Sequence, residues 1–167
     1  MVALPRPSLD ARAGMDARLA ALDKLEMLAE QLESDKKRSR SNTAVKRAVR
    51  TWRKGDIVKA GQWALKGIEA DSTNAKAFHV LAMALGRMGH VHKALVTYER
   101  AFELDPEDPE LLINLGLAAW NLKMTAGAAK LFQLYIAARP DSPLGYNNLG
   151  TIQADMGQPA LGVETLR

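Results

Sequence analysis

Between Ala75 and Asp108 the apolar residues recur on one helical face, stop, and recur on a second. Phe78, Leu81, Ala82 and Leu85 make the first run and Gly89 breaks it. Ala94, Tyr98 and Ala101 make the second, which ends at Asp105-Pro106. Thirty-four residues on, the pattern returns as Leu112, Leu115, Gly116 and Ala119, then Ala128, Phe132 and Pro140. It returns again as Tyr146, Leu149, Gly150, Gly157, Gly162 and Leu166, and a weaker copy lies upstream as Ala44, Ala48, Gly55, Ala60 and Ala64. A fixed period of this length predicts paired helices stacked in an array, each unit burying its apolar face against the next.

The punctuation has the same period. Asn74, Asp108 and Ser142 stand where N-caps are needed, and Pro109 and Pro143 follow at the first helical position, where a missing N–H costs nothing. Pro106 and Pro140 stop the second helices. Gly55, Gly89 and Gly157 supply the left-handed turn residue, with Asp56 capping the helix that follows Gly55. Lys123 replaces glycine in the third unit, so that turn is expected to be distorted. The unit at 41–74 is the least faithful: Arg47 stands where the others have Leu, Ala64 where they have an aromatic or Leu, and Ser72 where two have Pro.

Residues 1–7, with two prolines, read as disordered or extended. Ser8 is a candidate N-cap for an amphipathic helix reaching about Ser34. Met15, Leu22 and Ala29 fall seven apart, Leu25 and Leu32 take the companion heptad positions, and Leu19 and Leu28 widen the stripe. Such a helix caps the first repeat, packs on a neighbouring chain, dimerises as a short coiled coil, or frays in solution. Residues 35–40 read as a basic linker. The cations Lys36, Lys37, Arg38, Arg40, Lys46, Arg47, Arg50, Arg53 and Lys54 run to Gly55 with no acid among them after Asp35. This patch fits an acidic protein, an anionic lipid surface, or a solvated linker and helix face beside the acids of 16–35. Nucleic acid is not expected, because no aromatics interleave the charges and no recognition motif accompanies them.

Composition adds limits. The 167 residues carry a net charge of +4, no cysteine and few aromatics, the balance of an ordinary soluble protein. No apolar run approaches the roughly 20 residues of a membrane helix, and the start lacks the basic and apolar regions of a signal peptide. Without cysteines there are no disulfides and no thiol chemistry, which agrees with a cytoplasmic location. The chain ends at Arg167 within the second helix of the fourth unit, which is expected to be truncated. Leu161 and Leu166 would present apolar surface there, as in a fragment of a longer protein or an end covered by another chain.

The large apolar residue, the Leu-Gly step, the aromatic and the later Ala, aromatic and Pro resemble the tetratricopeptide repeat (TPR) family over residues 41–167. The resemblance implies an all-α, right-handed solenoid of about three and a half helix-turn-helix repeats (41–74, 75–108, 109–142 and the truncated 143–167). The N-terminal amphipathic helix precedes it. It also implies a concave groove lined by the first helix of each repeat, at its fifth, ninth and twelfth residues. These are Val45, Val49 and Trp52; His79, Met83 and Gly86; Ile113, Leu117 and Trp120; and Asn147, Thr151 and Ala154. The next residues along, Arg53, Arg87, Asn121 and Asp155, make a polar rim.

An apolar floor with two tryptophans and a methionine suits an apolar or amphipathic peptide. Chaperone-binding members of the family hold a C-terminal carboxylate with a Lys and Asn clamp, and no lysine occupies the fifth or ninth positions here. Asn114 and Asn148, each before Leu-Gly, resemble the asparagine ladder of O-linked N-acetylglucosamine transferase repeats, which holds peptide backbones; Lys46 and Val80 interrupt it upstream.

No catalytic constellation is present. His90 and His92 flank a turn without acid or cysteine partners at metal-ligand spacing, and no phosphate loop or nucleophile elbow occurs. The expectation is a non-catalytic scaffold without metal or cofactor. Its alternatives are the substrate-docking arm of a larger enzyme, such as a protein O-glycosyltransferase, and a self-assembly module acting through the N-terminal helix or the C-terminal end.

Overall fold

A computed structural model describes residues 9–157, with side chains from Gly14 onward. Expectations for residues 1–7, the Ser8 cap, Leu161, Gly162 and Leu166 lie outside the described residues. Among the described residues there are seven α-helices and no strand. They are α1 (Leu9–Arg53), α2 (Ile57–Ala70), α3 (Ala75–Arg87), α4 (Val91–Leu104), α5 (Pro109–Asn121), α6 (Thr125–Ala138) and α7 (Pro143–Asp155). The chain divides into two compact units, Met1–Ser39 and Arg40–Arg167.

The first unit is helical at every described residue, and every side chain from Gly14 to Ser39 is exposed. The linker expected at 35–40 is helix instead. Nothing from Met15 to Lys54 is glycine or proline, and lysine and arginine are good helix formers. Ion pairs one turn apart, Glu33–Lys36 and Asp35–Arg38, add a few tenths of a kcal/mol each on this exposed surface. A dense charge run here marks a solvated helix.

The second unit is an all-α helical-repeat solenoid. Helices α3, α5 and α7 begin at 75, 109 and 143, and α2, α4 and α6 begin at 57, 91 and 125, so both series keep the period of thirty-four. The turns reproduce one another. Gly55, Gly89 and Gly157 have φ of 81°, 83° and 75°, and Lys123 takes the same left-handed region at 62°. The amide of Gly89 donates to Gly86 (3.1 Å) and that of His90 to Leu85 (2.9 Å); Lys123 donates to Trp120 (2.8 Å) and Met124 to Ala119 (2.9 Å). The lysine turn is therefore undistorted: its backbone bonds hold the conformation, and the lysine bears the steric cost.

Helix packing is closest where side chains are smallest. Against α3, Gly61 approaches Ala84 and Gly67 approaches Ala77, while Ala48, Ala64 and Val80 close the first core cluster. Further along, larger side chains fill the interior: Tyr98 with Leu111 and Leu115, then Phe132 with Leu112, Leu149 and Ile152. Gly116 leaves room for the Phe132 ring and Gly145 for Tyr135.

In α3, α5 and α7 one face packs on the helix before it, through Ala77 and Ala84, Leu111, Leu115 and Ala118, and Gly145, Leu149 and Ile152. The same positions in the first repeat are Thr43, Arg47 and Arg50, all exposed. Arg47, one of the departures that made this repeat look unfaithful, thus stands on a solvated face, whereas Ala64 is a core residue.

Two expected caps are engaged otherwise. Asp108 caps α5 by accepting from the Glu110 amide (3.0 Å), and Asp56 caps α2 through Lys59 (3.1 Å). Asn74 instead donates its side-chain amide to Ser41 Oγ (2.9 Å) and Asn42 Oδ1 (3.0 Å), and Ser142 Oγ pairs with Tyr135 OH at 3.0 Å. Tertiary partners outcompete the local N–H groups at these two sites. Buried Ser41 completes the network by donating to the Gly67 carbonyl (2.7 Å).

Candidate protein-interaction groove

Two clefts share Trp52 and Met83. One, of about 350 Å³, is lined by Val45, Val49, Trp52, Arg53, Lys76, His79, Val80, Met83, Asp108 and Glu110. The other, of about 280 Å³, is lined by Trp52, Met83, Gly86, Arg87, Val91, Ala94, Tyr98, Asn114, Leu117, Ala118 and Asn121. Helices α1, α3 and α5 supply most of these walls because residues three and four apart share a helix face. The floor is apolar and charges of both signs stand among its lining.

Behind the floor lies a buried polar node. His79 is 6% exposed, and its ring is tilted on that of Tyr98 with centroids 5.9 Å apart. The Asn114 amide donates to His79 Nε2 at 3.0 Å, which leaves the ring proton on Nδ1, facing Asp108 Oδ2 at 3.7 Å. Burial holds the imidazole below its ordinary 6.5, against the carboxylates of Asp108 and Glu110, while Lys76 acts in the same direction as burial. Burial also pushes the Tyr98 phenol well above its ordinary value. The Asn114–His79 bond links α3 to α5 directly.

Of the sequence-derived candidates, Val45, Val49, Trp52, His79, Met83, Arg87, Asn114, Leu117 and Asn121 line these clefts. Ile113 is buried within the core of the third and fourth repeats. The two tryptophans of equivalent position part company. Trp52 lines both clefts with the Arg87 guanidinium 6.0 Å from its ring centroid, whereas Trp120 packs on the core and donates its indole N–H to Asp155 Oδ2 at 3.2 Å. Asn148 donates to the Leu144 carbonyl of its own helix (2.9 Å) and Asn114 to His79, so each amide has one of its two N–H groups engaged within the fold. Asn147 and Thr151 are exposed, the Thr151 hydroxyl donating to the Asn147 carbonyl at 2.8 Å.

Lys76, Asp108 and Glu110 were not among the candidates. A signal existed: Lys76 and Glu110 precede the floor positions His79 and Ile113 by three residues and so share their face.

The basic candidates are distributed. Lys36, Lys37 and Arg38 belong to the first unit, where Lys36 pairs with Glu33 and Arg38 with Asp35. Arg40, Lys46, Arg47, Arg50, Arg53 and Lys54 belong to the second. There Arg47 lies 4.7 Å from the ring centroid of Trp63, whose ring also has Lys66 at 4.6 Å. Lys46, Arg50, Arg53 and Lys54 surround an open apolar seam of Val45 and Val49. His90 and His92 are exposed at the start of α4, and among the described residues no cluster of metal-ligating side chains occurs.

These features define a helical-repeat protein with apolar clefts along the first helices of its repeats. Residues 79–143 match the tetratricopeptide repeat family model. That stretch carries tetratricopeptide repeats, and the fold they build points to protein–protein interaction. It is 33% identical to Protein FlbA of Caulobacter vibrioides (strain ATCC 19089 / CIP 103742 / CB 15) over 162 residues, which is 96% of this chain and 26% of that protein. The chain thus spans about a quarter of that relative's length.

Among solved structures, MamA has a TM-score of 0.71 at 17% identity, covering 97% of this chain and 92% of that one. The first TPR of Spaghetti (RPAP3), bound to the HSP90 peptide SRMEEVD, has a TM-score of 0.69 at 18% identity, covering 72% and 95%. A mutant O-GlcNAc transferase of Thermobaculum terrenum has a TM-score of 0.65 at 20% identity, covering 70% and 22%. These three likenesses concern the fold. Among the described residues no helix is long and apolar enough to cross a membrane.

Proposed function

We propose that this array is a non-catalytic scaffold that holds an apolar or amphipathic peptide segment in the groove of α1, α3 and α5. The observation that carries the reading is the shared Trp52–Met83 floor, continued by Val49 and Leu117 and bordered by Arg53, Lys76, Arg87, Asp108 and Glu110. A large aromatic and a methionine in a half-open apolar cleft supply the contact area that dominates peptide affinity, and the mixed charges select orientation. Asn114 and Asn121 line the same cleft and can meet the peptide backbone. Selection of a displayed random-peptide library on the native protein, with Trp52→Ala/Met83→Ala as counter-bait, tests it. Apolar or amphipathic winners that bind only the native groove support the proposal; winners indifferent to the double substitution refute it.

A second reading makes the array the substrate-docking arm of a longer enzyme, such as a protein O-glycosyltransferase. It is favoured by the chain's matching 26% of one relative and 22% of an O-GlcNAc transferase chain. Deleting the array from a longer gene product and assaying modification of its protein substrates separates the two. Loss of turnover with intact donor hydrolysis supports the docking arm, and unchanged turnover removes it.

A further inference from the structure

The helical segment 14–39 carries seven large apolar side chains that remain in water. Met15, Leu19, Leu22, Leu25, Met27, Leu28 and Leu32 are each 48–62% exposed. Six of them lie on one stripe. Met15, Leu22 and Ala29 occupy one heptad position, Leu25 and Leu32 its companion together with Arg18, and Leu19 and Leu28 flank the seam on opposite sides. A stripe of this kind is a half-interface, and its own sequence says what completes it.

In a parallel pair each residue meets its own copy. That would stack Arg18 on Arg18 and leave Ala29 facing Ala29, a like-charge layer followed by a hole. The antiparallel alternative, with its two-fold between Asp23 and Lys24, sets Met15 against the partner's Leu32, Arg18 against the partner's Ala29, and Leu22 against the partner's Leu25. The long Arg18 meets the small Ala29, the other layers set Met or Leu against Leu, and no cation meets a cation.

Charge favours the same arrangement. From Gly14 to Lys24 the charges cancel (Asp16 and Asp23 against Arg18 and Lys24), while from Leu25 to Asp35 there are only acids, Glu26, Glu30, Glu33 and Asp35. Parallel pairing lays acidic half on acidic half. Antiparallel pairing lays it on the balanced half that holds Arg18 and Lys24, and it also opposes the helix dipoles.

We propose that a second copy of this chain covers this stripe, residues 15–32 of two molecules pairing antiparallel in that register. The seam is about 27 Å long, and it links two peptide-binding arrays into one bivalent molecule.

The absence of cysteine allows a direct test on the whole chain. Met15→Cys and Leu32→Cys variants are mixed in a glutathione redox buffer. Sedimentation follows the native chain and a Leu22→Asp/Leu25→Asp variant. In the antiparallel pair position 15 lies about 25 Å from its own copy, beyond the roughly 7 Å limit of a disulfide. The 15–32 mixed disulfide should therefore make up nearly all of the cross-linked dimer, where random pairing of equal pools would give roughly half, and the native dimer should become monomeric in the double-aspartate variant. These exposed positions leave the repeat domain's melting unchanged, which separates loss of pairing from loss of fold. A native chain that stays monomeric at 100 μM or so overturns the proposal, as does a preferred 15–15 disulfide or a dimer that survives Leu22→Asp/Leu25→Asp.

Discussion

Asn114 donates its side-chain amide to His79 Nε2 at 3.0 Å, joining equivalent first helices of consecutive repeats behind the groove floor. The contact ties a buried titratable ring to the geometry of the proposed binding surface, and it makes the array sensitive to acid. His79 faces Asp108, Glu110 and Lys76 besides Asn114 and the Tyr98 ring. Burial outweighs the two carboxylates, so the folded protein binds a proton less readily than the unfolded chain. The stabilisation is therefore complete above about pH 6.5 and is lost as pH falls from there through the lower folded-state value. Melting temperature should drop between pH 8 and pH 5 more steeply in the native protein than in His79→Asn. Parallel profiles in the two proteins would show that the ring does not titrate in this way.

Lys123 adopts φ 62° where three other turns use glycine. A side chain in the left-handed region costs roughly 1–2 kcal/mol, part of which glycine gives back as chain entropy in the unfolded state. Lys123→Gly should therefore stabilise the protein by about 0.5–1 kcal/mol in urea unfolding. A destabilised variant would mean that the lysine side chain contributes more than its backbone costs.

The glycines under the large aromatics should tolerate nothing bulkier. A Cβ on Gly116 would lie 2.5 Å from Phe132 Cε1, and one on Gly145 2.6 Å from Tyr135 Cδ1. Phe132 is fully buried and cannot swing away, so Gly116→Ala should cost about 2–3 kcal/mol. Gly127→Ala, in the same pair of helices with nothing within 4 Å, should be neutral or stabilising by about 0.5 kcal/mol. Equal effects at the two positions, read by chemical unfolding, would contradict the packing described.

The equivalent tryptophans should separate by phenotype. Trp120→Phe removes the bond to Asp155 and disturbs a core-packed ring, so it should lower stability by about 1 kcal/mol and leave groove binding intact. Trp52→Ala should do the reverse. Matched thermal melts and peptide titrations on both variants check the assignment.

The period of thirty-four was legible because the apolar faces, the turn glycines and the prolines at 109 and 143 all repeat it, and each is a local choice. What was not legible depended on neighbours distant in sequence. Residues 35–40 looked like a linker because charge is common in linkers; their helix rests on the absence of Gly and Pro and on ion pairs to Glu33 and Asp35. Asn74 and Ser142 had the right chemistry for caps, but Ser41, Asn42 and Tyr135 claimed their side chains. At the groove, position within the repeat identified Trp52 and Met83 but could not separate Trp52 from Trp120, since only the fold sets Asp155 beside one and an open cleft beside the other. Likewise His79 reads as a floor residue until Asn114 and Tyr98 close over it.

A peptide held on Trp52 and Met83 should depend on the Trp52 ring. Titrating a library-selected peptide into the native protein and into Trp52→Ala, followed calorimetrically, tests it most directly. The dissociation constant should rise by about 30-fold or more, some 2 kcal/mol, in a variant that melts like the native protein. An unchanged constant in that correctly folded variant would place the peptide elsewhere on the array and contradict the groove.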